Sequence, residues 1–298
     1  IMCTFYMPSA ERPELLLDYR YPYGLCNAVN QINNQIFERT SKYKKIIFLD
    51  SSRWFENEVS TSIQYYLHAK VPYLPIVFKN TAEVIQLTLE SRFGPKRKLL
   101  ILDLDNTLWG GEVGDVGEEG VILGGHNPIG EAFVEFQKAI KRLQRRGVLL
   151  AVVSKNTEEI AIDTIRNHPE MILKESDFVS MRINWDNKDS NILSILDELN
   201  LPADSAVFFD DSEIERSWIN SKIPSIEVPF LPTDPKSYTE ILNNLKSFAT
   251  LNVTSEDLEK TKLYFEEKKR KEHIIETGEN YQSFLDGMNI EINITKLT

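Results

Sequence analysis

Asp103-Leu104-Asp105-Asn106-Thr107-Leu108 stands at the end of an apolar run that begins at Leu99. Side chains alternate along a strand, so Asp103 and Asp105 set out toward the same side. Two carboxylates repel at close quarters unless a cation or a shared proton offsets their charge. A hard divalent cation such as Mg2+ prefers such oxygen-rich surroundings. More polar residues follow later apolar runs. Ser154-Lys155-Asn156 comes after Val148–Val153, Lys188 after Asn184-Trp185-Asp186-Asn187, and Asp210-Asp211 closes Ala206–Asp210. Acids for a metal, a hydroxyl and an amine for phosphate oxygens, and a carboxylate nucleophile together describe a phosphoryl-transfer site.

Residues so far apart meet only if the runs before them are strands of one sheet. Leu99–Leu104, Val148–Val153, Phe178–Val179 and Ala206–Asp210 read as buried strands, with Ser225–Val228 a weaker one. Between them, Phe133, Phe136, Ile140 and Leu143 recur at helical spacing, and Gly147 stops that helix. Thr157–Asn167 and the segment carrying Ile192, Ile195, Leu196 and Leu199 predict further helices. Alternating strands and helices imply an α/β fold, a doubly wound parallel sheet covered on both faces. Such sheets bind ligands beyond the carboxyl ends of their strands. Thr254-Ser255-Glu256-Asp257 resembles a capping box before a charged helix to about Thr277.

The Gly94-Pro95 pair and the basic Lys96-Arg97-Lys98 mark the boundary between two domains, 1–94 and 95–298. Residues 1–94 read as a smaller α/β region with a strand at Lys44–Asp50 and helices at Asn27–Glu38, Val59–Lys70 and Ala82–Glu90. The chain of 298 residues opens on Ile1, so it is expected to be a piece of a longer polypeptide. With 42% apolar and 27% charged residues the composition is globular, and no apolar run approaches a membrane span. Two cysteines, Cys3 and Cys26, cannot build a disulfide framework, so a reducing, cytoplasmic setting is expected. The net charge of −11 argues against nucleic acid as a partner.

The order Asp-x-Asp-x-Thr, Ser, Lys, Asp-Asp resembles the four-part signature of the haloacid dehalogenase (HAD) superfamily. Leu102 to Gly111, Val152 to Asn156, His168-Pro169-Glu170-Met171, Asn184-Trp185 with Lys188, and Phe209-Asp210-Asp211 with Glu215-Arg216 are similar to its FkbH-like branch. That resemblance covers roughly residues 95–290. It implies a HAD-like Rossmannoid core, a Mg2+ cofactor and a glyceryl transferase/phosphatase activity in polyketide assembly. The implied substrates are 1,3-bisphosphoglycerate and the phosphopantetheine arm of an acyl carrier protein. Asp103 would be nucleophile and metal ligand, and Asp105 the general acid/base with its backbone carbonyl on the metal. Asp210 would complete the metal site, with Asp211 acting through water or orienting Lys188. Thr107, Ser154, Lys155, Asn156 and Lys188 would form the substrate- and phosphate-binding set. An acyl-carrying thiol would be the carrier's own or Cys3, with Cys26 as the alternative. Residues 1–94 would be a truncated SGNH-hydrolase-like region, though no Ser-His-Asp set stands in them.

Neither Gly110–Ile129 nor Ser154–Lys188 is long enough for a large cap domain, and an uncovered site suits a macromolecular substrate. Lys138, Lys141, Arg142, Arg145 and Arg146, or Lys268–Lys271, are candidate docking patches for an acidic carrier. Two other readings stand beside this one: a capless phosphatase acting on a phosphoprotein or small phosphate ester without acyl transfer, and a non-catalytic docking module. Arg216 is a candidate contact for a substrate phosphate or for a neighbouring acid, and His126 a loop residue near the mouth.

Overall fold

The computed structural model describes residues 1–8, 12, 15–43, 45–55, 60–94, 96–117 and 120–277. The chain divides into two compact units, Ile1–Gly94 with Ala249–Leu251 and Pro95–Phe248 with Asn252–Thr298. The first holds β1 (Met2–Cys3), α1 (Leu25–Thr40), β2 (Phe48–Leu49), α2 (Ile63–Ala69) and α3 (Pro75–Phe93), with β1 and β2 paired in parallel. Its elements sit where the apolar pattern puts them, with different bounds. The expected strand at Lys44–Asp50 shrinks to two residues, and Lys44 lies outside the described residues. The helix expected from Val59 starts at Ile63, because Ser62 caps it by accepting a hydrogen bond from the Tyr65 N–H at 3.3 Å. Val59 also lies outside the described residues. The helix expected at Ala82 begins a full two turns earlier, at Pro75, whose fixed φ suits a first turn.

The second unit runs β3 (Leu99–Leu102), α4 (Val113–Val116), α5 (Pro128–Gln144), β4 (Leu149–Ser154), α6 (Glu158–Asn167), β5 (Phe178–Ile183), α7 (Lys188–Glu198), β6 (Ala206–Phe209), α8 (Glu213–Lys222), α9 (Tyr238–Asn244) and α10 (Ser255–Thr277). Its four strands are parallel in the order β5-β4-β3-β6. Alternation along each strand feeds two cores. Leu100, Leu102, Leu150 and Val152 pack with Phe133, Phe136, Ile140, Ile165 and Tyr238 on one face. Leu99, Ile101, Leu149, Ala151 and Val153 pack with Ile192, Ile195 and Ile219 on the other. Each buried aliphatic side chain contributes about 1.5–3 kcal/mol relative to exposure. This is the doubly wound α/β sheet that the sequence predicts.

Two strands differ from expectation. β5 is six residues long because, as an edge strand, it tolerates Ser180 and Arg182, which interrupt its apolar run; both are bonded to Glu198 of α7, at 2.8 and 2.7 Å. Ser225–Val228 is not a strand but a single parallel bridge, Glu227 to Val207. Pro224 and Pro229 flank it, and proline cannot donate to a ladder.

Among the described residues, the stretch from β3 to α5 carries no helix longer than the four residues of α4 and holds two isolated bridges, Asp105–Trp109 and Gly110–Ile122, so no cap domain is inserted there. The capping box of α10 forms with Thr254 and Asp257, each accepting the other's backbone N–H, at 3.1 and 3.0 Å. No helix among the described residues is long and apolar enough to cross a membrane.

Candidate active site

β3 moves outward to β4 and β5, and the chain then returns to place β6 on the other side of β3. The reversal makes the carboxyl ends of β3 and β6 the natural ligand crevice. There Leu102 is in register with Phe209, and the Asp103 N–H donates to the Phe209 carbonyl at 3.0 Å. Asp103 and Asp210 are therefore the first residues beyond two adjacent strands, which run ~4.8 Å apart.

Lys188, the first residue of α7, joins them. Its Nζ lies 2.6 Å from Asp210 Oδ2 and 3.1 Å from Asp103 Oδ1. Asp210 is fully buried, and Lys188 and Asp103 are only 4% and 6% exposed. Asp103 Oδ1, although within ion-pair distance of the ammonium, accepts no well-directed hydrogen bond. Burial would lower the Lys188 amine, but the charges of Asp103 and Asp210 outweigh it and hold the amine above its ordinary range. Burial, reinforced by the Asp103 charge and opposed by Lys188, pushes the Asp210 and Asp211 carboxyls up to about 6. One carboxylate oxygen from each of Asp103, Asp210 and Asp211 lies within 4.8 Å of the others. Three acids share one buried ammonium. An oxygen-only donor set with excess negative charge and an unsatisfied Asp103 oxygen fits a hard divalent cation such as Mg2+.

Asp105 is held apart from this cluster. Its Oδ1 accepts from Trp109 Nε1 at 2.8 Å and from the Val113 N–H at 3.1 Å, and its Oδ2 from Asn156 Nδ2 at 2.9 Å. Burial raises its pKa above the usual carboxylate range against the Val113 and Trp109 bonds, and the Asp103 and Glu112 charges add to the rise. A fixed carboxyl of raised pKa is suited to proton transfer.

The loop that follows Asp105 takes a left-handed turn at Asn106, φ 53°. Asn106 Oδ1 accepts from the Gly111 N–H at 2.9 Å, and its carbonyl accepts from the Tyr238 hydroxyl at 3.3 Å. Burial, with the Asp211 charge, pushes that phenol up to about 12. Thr107 is fully buried on the same loop, and its hydroxyl has no hydrogen-bond partner.

The remaining predicted residues fall in different places. Ser154 is buried at the end of β4, at the same sheet edge. Lys155 points its ammonium at Glu215 of α8, 2.6 Å away. Asn156 gives its amide to Asp105, and its own carbonyl oxygen accepts the Thr157 N–H. Arg216 does not pair with an acid side chain: its Nη1 donates to the carbonyls of Asp210 and Asp211, at 2.7 and 2.6 Å. His126 is exposed in its loop. In the first unit, Cys3 is exposed at the end of β1 and Cys26 is buried in the first turn of α1.

Of the basic cluster on α5, Lys138 pairs with Glu135, Lys141 with Asp177, and Arg146 with the Phe248 carbonyl, while Arg142 and Arg145 stay exposed. In the second cluster Arg270 pairs with Glu267, and the side chains of Lys268, Lys269 and Lys271 lie outside the described residues.

The predicted set omits Trp109 as a donor and Tyr238 altogether. Trp109 follows Asp105 by four residues, a spacing that could have suggested it; Tyr238 comes from a distant helix and leaves no local signal. A groove of about 830 Å3 between β5, the end of α5 and α10 is lined by Phe178, Met181, Leu258 and Lys262. It gathers none of Asp103, Asp105, Asp210 and Asp211.

No family model and no curated protein matches the chain. Among solved structures, it is similar to the N-terminal part of a Bacteroides fragilis protein containing a phosphatase domain, complexed with Mg. The identity is 31% and the TM-score 0.70, over 83% of this chain and 66% of that one. The chain thus spans just under two thirds of that relative. A HAD-family enzyme of Bacteroides thetaiotaomicron, complexed with magnesium and inorganic phosphate, matches at 13% identity and TM-score 0.31, over 46% of this chain and 95% of that one. A 3-deoxy-D-manno-octulosonate 8-phosphate phosphatase of Moraxella catarrhalis matches at 11% and 0.29, over 64% and 97%.

Proposed function

We propose that this chain, which carries the HAD-type phosphatase fold, is a Mg2+-dependent phosphatase with Asp103 as nucleophile and Asp105 as general acid/base. The observation that carries the reading is the buried Asp103-Lys188-Asp210 constellation at the β3/β6 crevice, with ion-pair distances of 3.1 and 2.6 Å. The Mg-complexed phosphatase-domain relative supports the metal.

In the first step an Asp103 carboxylate oxygen attacks phosphorus. The bond from phosphorus to the leaving oxygen breaks, and that oxygen takes the proton of Asp105. Water, giving its proton to Asp105, then attacks phosphorus; the bond to Asp103 breaks and inorganic phosphate leaves. Ser154 and Lys188 hold the phosphoryl oxygens through this exchange, and Thr107 supports the loop. Asp103, the Asp105 carbonyl and Asp210 would hold Mg2+, with Asp211 acting through water, and the ion would supply charge neutralisation at phosphorus. Lys155 and Asn156 act on this reading as partners of Glu215 and Asp105 and do not grip phosphate.

We further propose the FkbH-like role: loading a three-carbon acyl unit from 1,3-bisphosphoglycerate onto an acyl carrier protein in the cytoplasm. A thiolate attacks the acyl carbon, the carbon–sulfur bond forms, the carbon–oxygen bond to phosphate breaks, and phosphate departs. The thiol is that of the carrier's phosphopantetheine or of Cys3, whose exposure favours it over buried Cys26. The short β3–α5 connection supports a bulky acceptor. Incubating the protein with Mg2+, 1,3-bisphosphoglycerate and an acyl carrier protein tests both proposals by intact mass and phosphate release. Acyl adducts on the carrier with phosphate release support the full reading. Phosphate release with no adduct leaves the simpler phosphatase, acting on a phosphoprotein or small ester. No release with either substrate class refutes both.

A further inference from the structure

We infer that Arg216 is the residue that makes the adjacent pair Asp210-Asp211 a single metal-binding unit, although it touches no metal or substrate itself. In an extended strand, consecutive side chains point to opposite faces and consecutive carbonyls point apart. Asp210 and Asp211 follow directly on β6, so continuing the strand would send their carboxylates in opposite directions. Yet both bring a carboxylate oxygen into one cluster with Asp103, all within 4.8 Å. The chain must therefore leave strand geometry between them, and the hydrogen bonds show how it is held. Both carbonyls, of Asp210 and of Asp211, converge on one nitrogen, Arg216 Nη1, at 2.7 and 2.6 Å. From the other side, the Ser212 N–H donates to Asp210 Oδ1 at 2.9 Å.

Arg216 is itself fixed. It lies in the first turns of α8, its own N–H bonded to the Ser212 carbonyl at 3.0 Å, with its side chain buried. The Phe230 ring sits 5.6 Å from its guanidinium carbon. A guanidinium is suited to this place because its charge is permanent and its donors are rigid. The clamp holds the backbone through its carbonyls and occupies no carboxylate oxygen.

This role predicts a result opposite in sign to a simple charge effect. Removing a nearby positive charge should tighten cation binding, because one repulsion is lost. Removing a positioning clamp should weaken it, since the loss of a residue that orients ligands typically costs about 10–100-fold in metal affinity. The inference rests on the divalent-cation reading of the acid cluster, and the experiment separates the two.

Mg2+ and Mn2+ are titrated into wild type, Arg216→Met and Arg216→Lys, starting from metal-free protein. The binding midpoint is read by calorimetry and by the shift in Tm, alongside the Tm in chelator. The expected result is a midpoint weakened by about 10–100-fold in Arg216→Met, with Arg216→Lys between it and wild type. Arg216→Lys keeps the charge and provides the answer if Arg216→Met does not fold. A drop in chelator Tm with an unchanged or tighter metal midpoint would mean that Arg216 only stabilises the fold, and the inference is then wrong. If wild type itself takes up neither metal, the metal reading fails and takes the inference with it.

Discussion

Replacing Lys188 with Met removes the one ammonium that bridges Asp103 and Asp210 while keeping most of the side-chain volume. At 3.1 and 2.6 Å, and with an effective dielectric near 20, the gross attractions are roughly 5 and 6 kcal/mol. Most of that is offset by the cost of taking the ammonium and carboxylates out of water. Experience with buried pairs sets the net loss on removing one partner at about 3–5 kcal/mol. Metal-free Lys188→Met should therefore lose about that much stability near neutral pH, measured by urea unfolding in chelator. In mildly acid solution the loss should shrink, because the abandoned carboxylates take up protons. Mg2+ should restore much of the loss and should bind the variant more tightly than wild type, since no ammonium competes for the same oxygens. Phosphate release should nonetheless fall sharply, because on the proposed mechanism Lys188 also holds the phosphoryl oxygens. Equal stability of variant and wild type near neutral pH in chelator would refute the reasoning, and so would weaker Mg2+ binding by the variant.

Asp103→Asn should abolish phosphate release without unfolding the protein, because an amide is a far poorer nucleophile; turnover at the wild-type rate by the folded variant would remove Asp103 from its role. Asn156→Ala should lower kcat more than it raises KM and should move the pH–rate profile, because it takes a donor from Asp105; a KM effect alone would return Asn156 to phosphate binding. The carboxyls of Asp210 and Asp211 are held up at about 6, above the ordinary 3.8. Between those values the folded state binds more protons than the unfolded one. Stability of the metal-free protein should thus fall as pH rises through that window, by roughly 3 kcal/mol for Asp210. Urea midpoints in chelator across the window check this, and a flat or rising profile contradicts it. Gly130→Ala should destabilise the protein by about 1–3 kcal/mol, since its Cβ would stand 2.3 Å from the Gly124 carbonyl oxygen; an unchanged Tm would show that the turn can give way.

The sheet was readable because its central strands are buried on both faces and so appear as unbroken apolar runs, Leu99–Leu102 and Ala206–Phe209 being the clearest. β5 was half hidden because edge position lets Ser180 and Arg182 break its run. Asp103 and Asp210 were readable as charged residues directly after unbroken apolar strands, and Lys188 as the lone cation opening the helix after β5. The partners of Lys155, Asn156 and Arg216 were not. Each side chain is long enough or polar enough to serve several neighbours, and the choice among them depends on where α4 and α8 lie. Tyr238 was invisible because its contact with the Asn106 carbonyl is set by the packing of α9 on α5, not by any local pattern.

The adjacency of β3 and β6 also bears on how the protein is made. During synthesis Asp103 emerges first, and Asp210 follows only after β4, α6, β5 and α7 have been produced. Until β6 closes against β3, Asp103 lacks its neighbouring acid, Asp210. A pairing of such long sequence separation carries a high loop-closure cost and forms late. A ribosome-bound or proteolytically shortened chain can therefore fold part of the sheet and still lack a reactive centre. Acquisition of activity would mark the final insertion of β6, which makes phosphate release a more stringent gauge of complete refolding than the recovery of helix content.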